Sequence, residues 1–390
     1  MTQTLEMRPL GELVELLMGQ APSSKECNFD GSGTPFVKVG EFGESRPVIR
    51  EWTTNPLRMA RRTDVLLCVV GATCGKVNLG EDCAIGRSVA AIRPKPTKLD
   101  QYYLHYFMMT LVERLRSGSV GAAQTVISKE MIETVQIPFM PLPEQKRIVG
   151  ILDEAFEGIA AAKANTEKNL KNARALFENQ LQSVFVARGT GWGEKPLGSV
   201  ATFRNGINFT KDSKGERIKI VGVRNFQKNF AAPLDDLDTV TIDGKLSELD
   251  SLKKDDILAV RSNGNIELIG RCLLVGEVVD KISHSGFTIR IRISPGEVLP
   301  SYLCHFMKSA STRKRLTEGG TGTNIKSLNQ GMLSALVIPF PPVSTQKLIV
   351  EKLESLSDET QRLESIYLQK LAALEELRKS LLYQAFTGEL

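Results

Sequence analysis

Residues 137–156 read IPFMPLPEQKRIVGILDEAF, and residues 338–357 read IPFPPVSTQKLIVEKLESLS, the same pattern returned 201 positions later. The offset holds without a gap from residues 121–186 to residues 322–387. Ile137-Pro138-Phe139 answers Ile338-Pro339-Phe340, Gln145-Lys146 answers Gln346-Lys347, and Ile148-Val149 answers Ile349-Val350. Leu152, Leu170, Leu176, Leu181 and Phe185 answer Leu353, Leu371, Leu377, Leu382 and Phe386. Matches this specific at one fixed period mark a duplicated unit. Upstream the likeness is looser: Pro9-Leu10-Gly11 and Gly19 answer Pro196-Leu197-Gly198 and Gly206, and Asp64-Val65-Leu66 answers Asp256-Ile257-Leu258.

The chain of 390 residues is therefore read as two half-copies, each a divergent globular part followed by a well-matched helical part. The globular parts carry short β-branched runs, such as DVLLCVV, KIVGVRNF and FTIRIRI, separated by Gly, Pro, Asn and Asp. Such runs read as strands of small mixed sheets. Each is followed by a helix-like stretch, YYLHYFMMTLVERLR or SYLCHFMKSASTRKRL, which makes the expected class α+β. The boundaries expected are globular domains at 1–141 and 196–341, helical regions at 142–188 and 342–390, and a Gly-rich linker at 189–195.

Prolines at 141, 143, 341 and 342 suit the start of helices, and apolar or small residues recur after them at heptad spacing. The first seam is read as Leu152, Ala155, Ile159, Ala162, Thr166, Asn169, Ala173, Leu176 and Gln180. The second is read as Leu353, Leu356, Thr360, Leu363, Tyr367, Lys370, Leu374, Leu377 and Leu381. A lone amphipathic helix of this length leaves its seam in water, so the two are expected to pack on each other, small residues against large. An antiparallel pair, each helix on the order of 65 Å long at 1.5 Å per residue, would act as a ruler between two globular domains.

Composition narrows the function. Net charge is +5, and the excess is concentrated: residues 189–342 hold 21 Lys and Arg against 16 Asp and Glu. A basic globular module suits a phosphate-rich partner. The six cysteines form no CxxC pair and read as reduced thiols, Cys68, Cys74 and Cys83 with His105 match no metal-ligand spacing, and no apolar run is long enough to span a membrane. The beginning of the chain has acidic residues where a signal peptide carries basic ones, so the expected location is cytoplasmic. Gly71 to Lys76, GATCGK, is one residue short of a phosphate-binding loop, and Val77 stands where that loop needs Ser or Thr. His105, His284 and His305 are scattered, and core packing is the reading for the first and last.

The repeated helical segments and the closing SLLYQAFTGEL resemble the conserved regions of Type I restriction-modification specificity subunits over the full length. The resemblance implies a non-catalytic subunit whose two target-recognition domains each read one half of a bipartite, asymmetric site in double-stranded DNA. It implies an antiparallel coiled coil that docks two modification (methyltransferase) subunits, with restriction (translocase and nuclease) subunits completing the complex. S-adenosylmethionine, ATP and Mg2+ are then expected in those partners and no cofactor in this chain. The docking residues implied are Glu144, Gln145 and Lys146 in the first copy, Gln346 and Lys347 in the second, and Phe185 and Phe386 at the helix ends. The second copy departs from the family's PLxEQ pattern at Ser344-Thr345, and the first lacks the AFTGEL ending.

Direct readout of bases uses Arg for guanine and Asn for adenine. Arg261, Asn263 and Asn265 fit that chemistry in the second domain, with Arg224 and Asn225 upstream. Thr73 and Lys76, with Lys38 and Glu41, hold the comparable places in the first. Gln124, Lys129, Asn324 and Lys326 lie in or beside the second Gly-rich loops, and Arg313, Lys314 and Arg315 form a basic cluster suited to phosphate. An interaction scaffold that never touches DNA and a stand-alone nuclease or methyltransferase are the competing classes. The basic excess weighs against the first and the missing catalytic motifs against the second.

Overall fold

In the computed structural model, described over residues 5–117, 126–187, 191–226, 229–318 and 327–390, the run Asp64 to Val70 holds the strand Val65–Cys68, buried at all four positions. A strand apolar at every position must be covered on both faces. Val65 and Leu67 point into one cluster with Tyr103, Leu104 and Met108, whereas Leu66 and Cys68 point into another with Val37, Phe42 and Ile85. The four-stranded sheet that holds it, ordered Val14–Met18, Val89–Pro94, Val65–Cys68 and Val77–Leu79, is antiparallel throughout. The helices Gln101–Thr110 and Val112–Ser117 lie on one side, and a five-stranded sheet containing Thr34–Val37, Cys83–Ile85 and Glu51–Thr53 on the other.

The second half repeats this. A sheet ordered Ala201–Asn205, Thr288–Ile293, Ile257–Val260 and Cys272–Leu274 sends Ile257 and Ala259 to a cluster with Tyr302, Leu303 and Met307. Leu258 and Val260 face Val221, Phe226 and Ile282 beside a three-stranded sheet. Chain contacts divide the molecule into two units, Met1–Glu167 with Gln369–Leu390, and Lys168–Leu368.

The shared signals of the two halves now have reasons. The Tyr103 hydroxyl donates to the carbonyl of Pro138 at 2.9 Å, and the Tyr302 hydroxyl to that of Pro339 at 3.0 Å, so each IPF strand is pinned to its domain's helix. Asp64 is fully buried and receives Arg93 through Nε at 2.8 Å and Nη2 at 2.9 Å, and Asp256 receives Arg292 the same way at 2.7 Å twice. Paired geometry of this kind offsets the desolvation of both ions, and removing one partner strands the other.

The two long helices span Leu142–Val186 and Val343–Thr387, 45 residues each. In the first unit the start of one meets the end of the other: Ile148, Val149 and Leu152 pack with Leu382 and Ala385, and the Arg378 guanidinium sits 5.1 Å over the Phe156 ring. In the second unit Leu181 and Phe185 pack with Val350 and Leu353, and Arg174 pairs with Glu364 at 3.0 Å. Both pairings are antiparallel.

The heptad reading of the seam fails in its second half. The buried or half-buried stripe runs 152, 155, 159, 162, 166, 170, 173, 177, 181, so Asn169 and Leu176 face out while Leu170 and Phe177 face in. The second helix slips at the equivalent places, with Lys370 and Leu377 outward and Leu371 and Arg378 turned toward the seam. From 152 to 181 the stripe takes 29 residues in eight steps, about 3.6 each. That is the pitch of a straight helix, against which a strict seven-residue repeat drifts by about 20° per heptad.

Candidate nucleic-acid interface

In the first unit several loops meet at one edge of the central sheet. The Val69 amide, where the loop Val69 to Lys76 begins, donates to the carbonyl of Ser88 at 2.9 Å, and Ile127 N–H donates to Val69 at 2.9 Å. Gly86, first residue of the turn Gly86-Arg87-Ser88, donates to Val37 at 2.9 Å, just before Lys38. Gly19 and Gln20 donate to Val89 and Ile85 at 2.9 and 3.0 Å. The second unit repeats the ladder bond for bond. Arg261 donates to Phe287 at 2.9 Å, Leu328 to Arg261 at 2.8 Å, Ser285 to Val221 at 3.0 Å, Gly206 to Thr288 at 3.1 Å and Ile207 to His284 at 2.9 Å.

Gly19 and Gly206 were legible as equivalent, and the structure supplies the cause. A Cβ on Gly19 would fall 2.2 Å from the carbonyl oxygen of Gly86, and one on Gly206 would fall 2.1 Å from that of Ser285. No backbone oxygen tolerates that approach, so a residue without a side chain is needed.

The edge gathers Lys38, Thr73 and Lys76 in the first unit. Lys76 and Thr73 are exposed, and the Lys76 ammonium donates to the carbonyl of Phe42 at 2.9 Å, tying one candidate loop to the other. Lys38 pairs with the buried Glu51, and the exposed Lys129 sits 3.5 Å from Glu133. Glu41 is buried and accepts the Lys38 backbone N–H at 2.9 Å, so its carboxylate shapes the loop and is not presented to a ligand.

In the second unit Asn225 is likewise turned inward, accepting from the Gly222 amide at 2.9 Å, which corrects its reading as a base contact. Arg224 is exposed but held by Asp238 at 2.8 Å. Asn263 and Asn265 use their carbonyl oxygens on the amides of Asn265 and Glu267, at 2.8 and 3.0 Å, to shape the loop and leave their NH2 groups outward. Arg313 reaches this loop, donating to the Glu267 carbonyl at 2.9 Å, so two candidate groups distant in sequence are joined. The Nε atoms of Arg261 and Arg313 are buried with no hydrogen-bond partner among the described residues. Lys314 and Arg315 lie exposed on the helix Ala310–Glu318. Gln124, Asn324 and Lys326 lie outside the described residues.

Two side chains on the central turns, Arg87 and Phe287, were not among the sequence candidates. Both are exposed, Phe287 at 59 %. An unburied Phe in HSGFTIR, between a turn and an apolar strand, was the available signal.

Four docking candidates are corrected. Gln145 and Gln346 are fully buried at the helix starts. Gln145 accepts from Asp100 N–H at 2.8 Å and donates to the carbonyls of Lys98 and Met140 at 2.9 and 2.8 Å. Gln346 does the same with Leu299, Glu297 and Pro341 at 2.8, 2.8 and 2.9 Å. Every polar atom of both amides is used inside its own domain. Phe185 stacks edge-on to Tyr302 and Phe306, and Phe386 packs on Tyr103 and Phe107, so both are core residues. Glu144, Lys146 and Lys347 remain at the surface, Glu144 in an ion pair with Arg147 at 2.8 Å.

His105 and His305 are buried in the helices, where desolvation pushes both imidazoles down to about 4. Burial lifts the Cys83 thiol to about 12. No cluster of metal-ligating side chains occurs among the described residues, and no helix there is long and apolar enough to cross a membrane.

The chain matches the family described as Type I restriction modification DNA specificity domain twice, over residues 3–172 and 190–373. It is 25 % identical over 388 residues to the StySPI specificity subunit of Salmonella potsdam, covering 95 % of this chain and 81 % of that one. It is 26 % identical over 392 residues to the EcoKI specificity subunit of Escherichia coli K12, covering 95 % and 82 %. The fold is also that of a chain from a structure concerning complex assembly and conformational transition of the type I R-M system, with TM-score 0.82, 15 % identity and coverage of 100 % and 99 %. The HsdS subunit from Thermoanaerobacter tengcongensis aligns with TM-score 0.64, 16 % identity and coverage of 99 % and 97 %. Two copies of one family domain, each on an equivalent α+β frame joined to a long helix, make this chain a member of the Type I restriction-modification DNA specificity family, a specificity subunit with two target-recognition domains and no catalytic role of its own.

Proposed function

We propose that each globular domain reads one half of a bipartite site in double-stranded DNA through the loop edge described above, and that the long helices hold the spacer constant and dock two modification subunits. Restriction subunits complete the complex, and S-adenosylmethionine, ATP and Mg2+ serve in those partners. The observation that carries this reading is the bond-for-bond equivalence of the two loop edges beneath side chains that differ, Lys38, Thr73, Lys76 and Arg87 in one, Asn263, Asn265, Arg261 and Phe287 in the other. One backbone frame with two side-chain sets suits two different half-sites. Arg261 and Arg313, with no carboxylate partner among the described residues, suit phosphate or a base edge.

Docking falls to the surface that the buried residues leave open. In the first unit this leaves Glu144, Lys146 and the outward Leu377, and in the second unit, separately, Lys347 and the equivalent outward Leu176. The test is to assemble the chain with its modification subunits and map methylation on genomic DNA. A split sequence with a fixed spacer is the expected result. Alanine at Arg261 should alter one half only, at a cost of about 1 to 3 kcal/mol if a bidentate contact is lost. Unsplit or random methylation would overturn the reading.

A further inference from the structure

Each domain carries one element at the middle of its loop edge, the three-residue turn that links the parallel-paired strand to the central strand. In the first domain this is Gly86-Arg87-Ser88 and in the second Ser285-Gly286-Phe287. The turn is closed by the Val89 amide on Gly86 at 2.9 Å and by the Thr288 amide on Ser285 at 2.8 Å. It is the shared neighbour of the other segments, bonded to the residue before Lys38 or before Gly222 on one side and to Val69 or Arg261 on the other. Gly19 and Gly206 press against it so closely that no Cβ fits. Its backbone is thus held from three sides, and whatever its side chains touch is met by a rigid group.

Arg87 and Phe287 are the exposed side chains of the two turns, whereas Ser88 and Ser285 use their hydroxyls inside the fold, accepting from the Val39 and Phe287 amides at 3.4 and 3.3 Å. Arg87 is exposed and forms no ion pair among the described residues, whereas Arg224 is held by Asp238 and Lys38 by Glu51. Phe287, whose carbonyl accepts from the Arg261 amide, exposes an apolar ring, where burial in its own domain would have been favourable. The two turns also differ in kind. At the position of Arg87 the second domain has Gly286, where an added Cβ would strike the Asn208 amide oxygen at 2.0 Å. The guanidinium of one domain is replaced by a ring one residue later and an amide from the neighbouring segment.

We infer that this turn is the central base-reading element of each domain, Arg87 gripping a guanine through its major-groove edge in one half-site and Phe287 packing on a thymine methyl in the other. The inference rests on the reading proposed above. A rigid guanidinium offers two parallel donors to guanine O6 and N7, and an aromatic ring gains by covering a methyl group.

The test uses the chain assembled with its modification subunits and a duplex carrying the mapped site. In the first half-site each guanine is replaced in turn by 7-deazaguanine, which lacks the N7 acceptor. In the second each thymine is replaced by uracil, which lacks the methyl. One 7-deazaguanine position should weaken binding roughly 5- to 150-fold, and Arg87→Ala should remove any further effect of that substitution. Arg87→Lys should fail like Arg87→Ala, since lysine keeps the charge but loses the paired donors; rescue by Arg87→Lys would assign Arg87 to phosphate and overturn the inference. Phe287→Ala should abolish the penalty for one thymine-to-uracil change and leave the first half-site untouched. Both side chains are exposed, so the variants should melt with the native protein. If methylation is bipartite yet both variants bind and modify as the native chain does, or the half-sites lack the guanine or the thymine, this inference fails while the parent reading stands. If methylation is not bipartite, both fail.

Discussion

Gln145 Oε1 accepts the backbone N–H of Asp100 at 2.8 Å, locking the first turn of a 45-residue helix to the cap of the helix beside it. The same amide donates to two carbonyls, so it replaces three contacts that water would otherwise make. Gln145→Leu keeps the volume and leaves one amide and two carbonyls buried without partners. A loss of about 3 kcal/mol in the first unit's stability is expected, since each orphaned group costs about 1 to 3 kcal/mol and the site partly relaxes. Urea titration followed by a probe in that unit would measure it. A change below about 0.5 kcal/mol, the range of neutral surface substitutions, would mean the amide is dispensable.

Arg93→Met should destabilise by about 3 to 5 kcal/mol, because Asp64 is then an unpaired ion with no exposure. The double variant Asp64→Asn with Arg93→Met should recover much of that loss. A double variant no more stable than the single one would place the cost in packing around Arg93 and not in the stranded charge.

The slipped seam separates neighbours on the first helix. Leu170→Ala is expected to cost about 2 to 3 kcal/mol, whereas Asn169→Ala, on the outward face, should stay within about 0.5 kcal/mol. Thermal unfolding of the two variants decides between the 3.6-residue stripe and the strict heptad, which demands the reverse order.

Acid should weaken the fold through its histidines. Burial, aided by Lys308, holds the His305 imidazole at about 4, and burial with Arg378 does the same for His105. The unfolded chain binds these protons near pH 6.5. The stability that the neutral folded imidazoles carry is therefore complete above 6.5 and drains as pH falls toward 4. His305→Leu should flatten the stability profile between pH 6.5 and 4 by on the order of 3 kcal/mol. Superimposable profiles for the native and variant chains would remove His305 from the account.

The duplication, the α+β class, both long helices and the family were determined by the amino-acid sequence alone, because each is written in local pattern. Repeats align by identity, strands by β-branched runs between turns, and helices by apolar spacing after proline. Matched residues such as Gln145 and Gln346, Asp64 and Asp256, Gly19 and Gly206 also announced themselves. Their meaning did not. Whether a repeated glutamine docks a partner or clips its own domain depends on whether its amide is buried, and that is decided by carbonyls 45 residues or more away at Lys98 and Glu297. The same holds at the loop edge, where Asn225 and Glu41 carry the chemistry of readers but turn inward to cap their own loops. Arg87 and Phe287 reach the middle of that edge only because backbone hydrogen bonds from three other segments fix the turn there. Side-chain type is local information, and the direction a side chain faces is set by long-range packing.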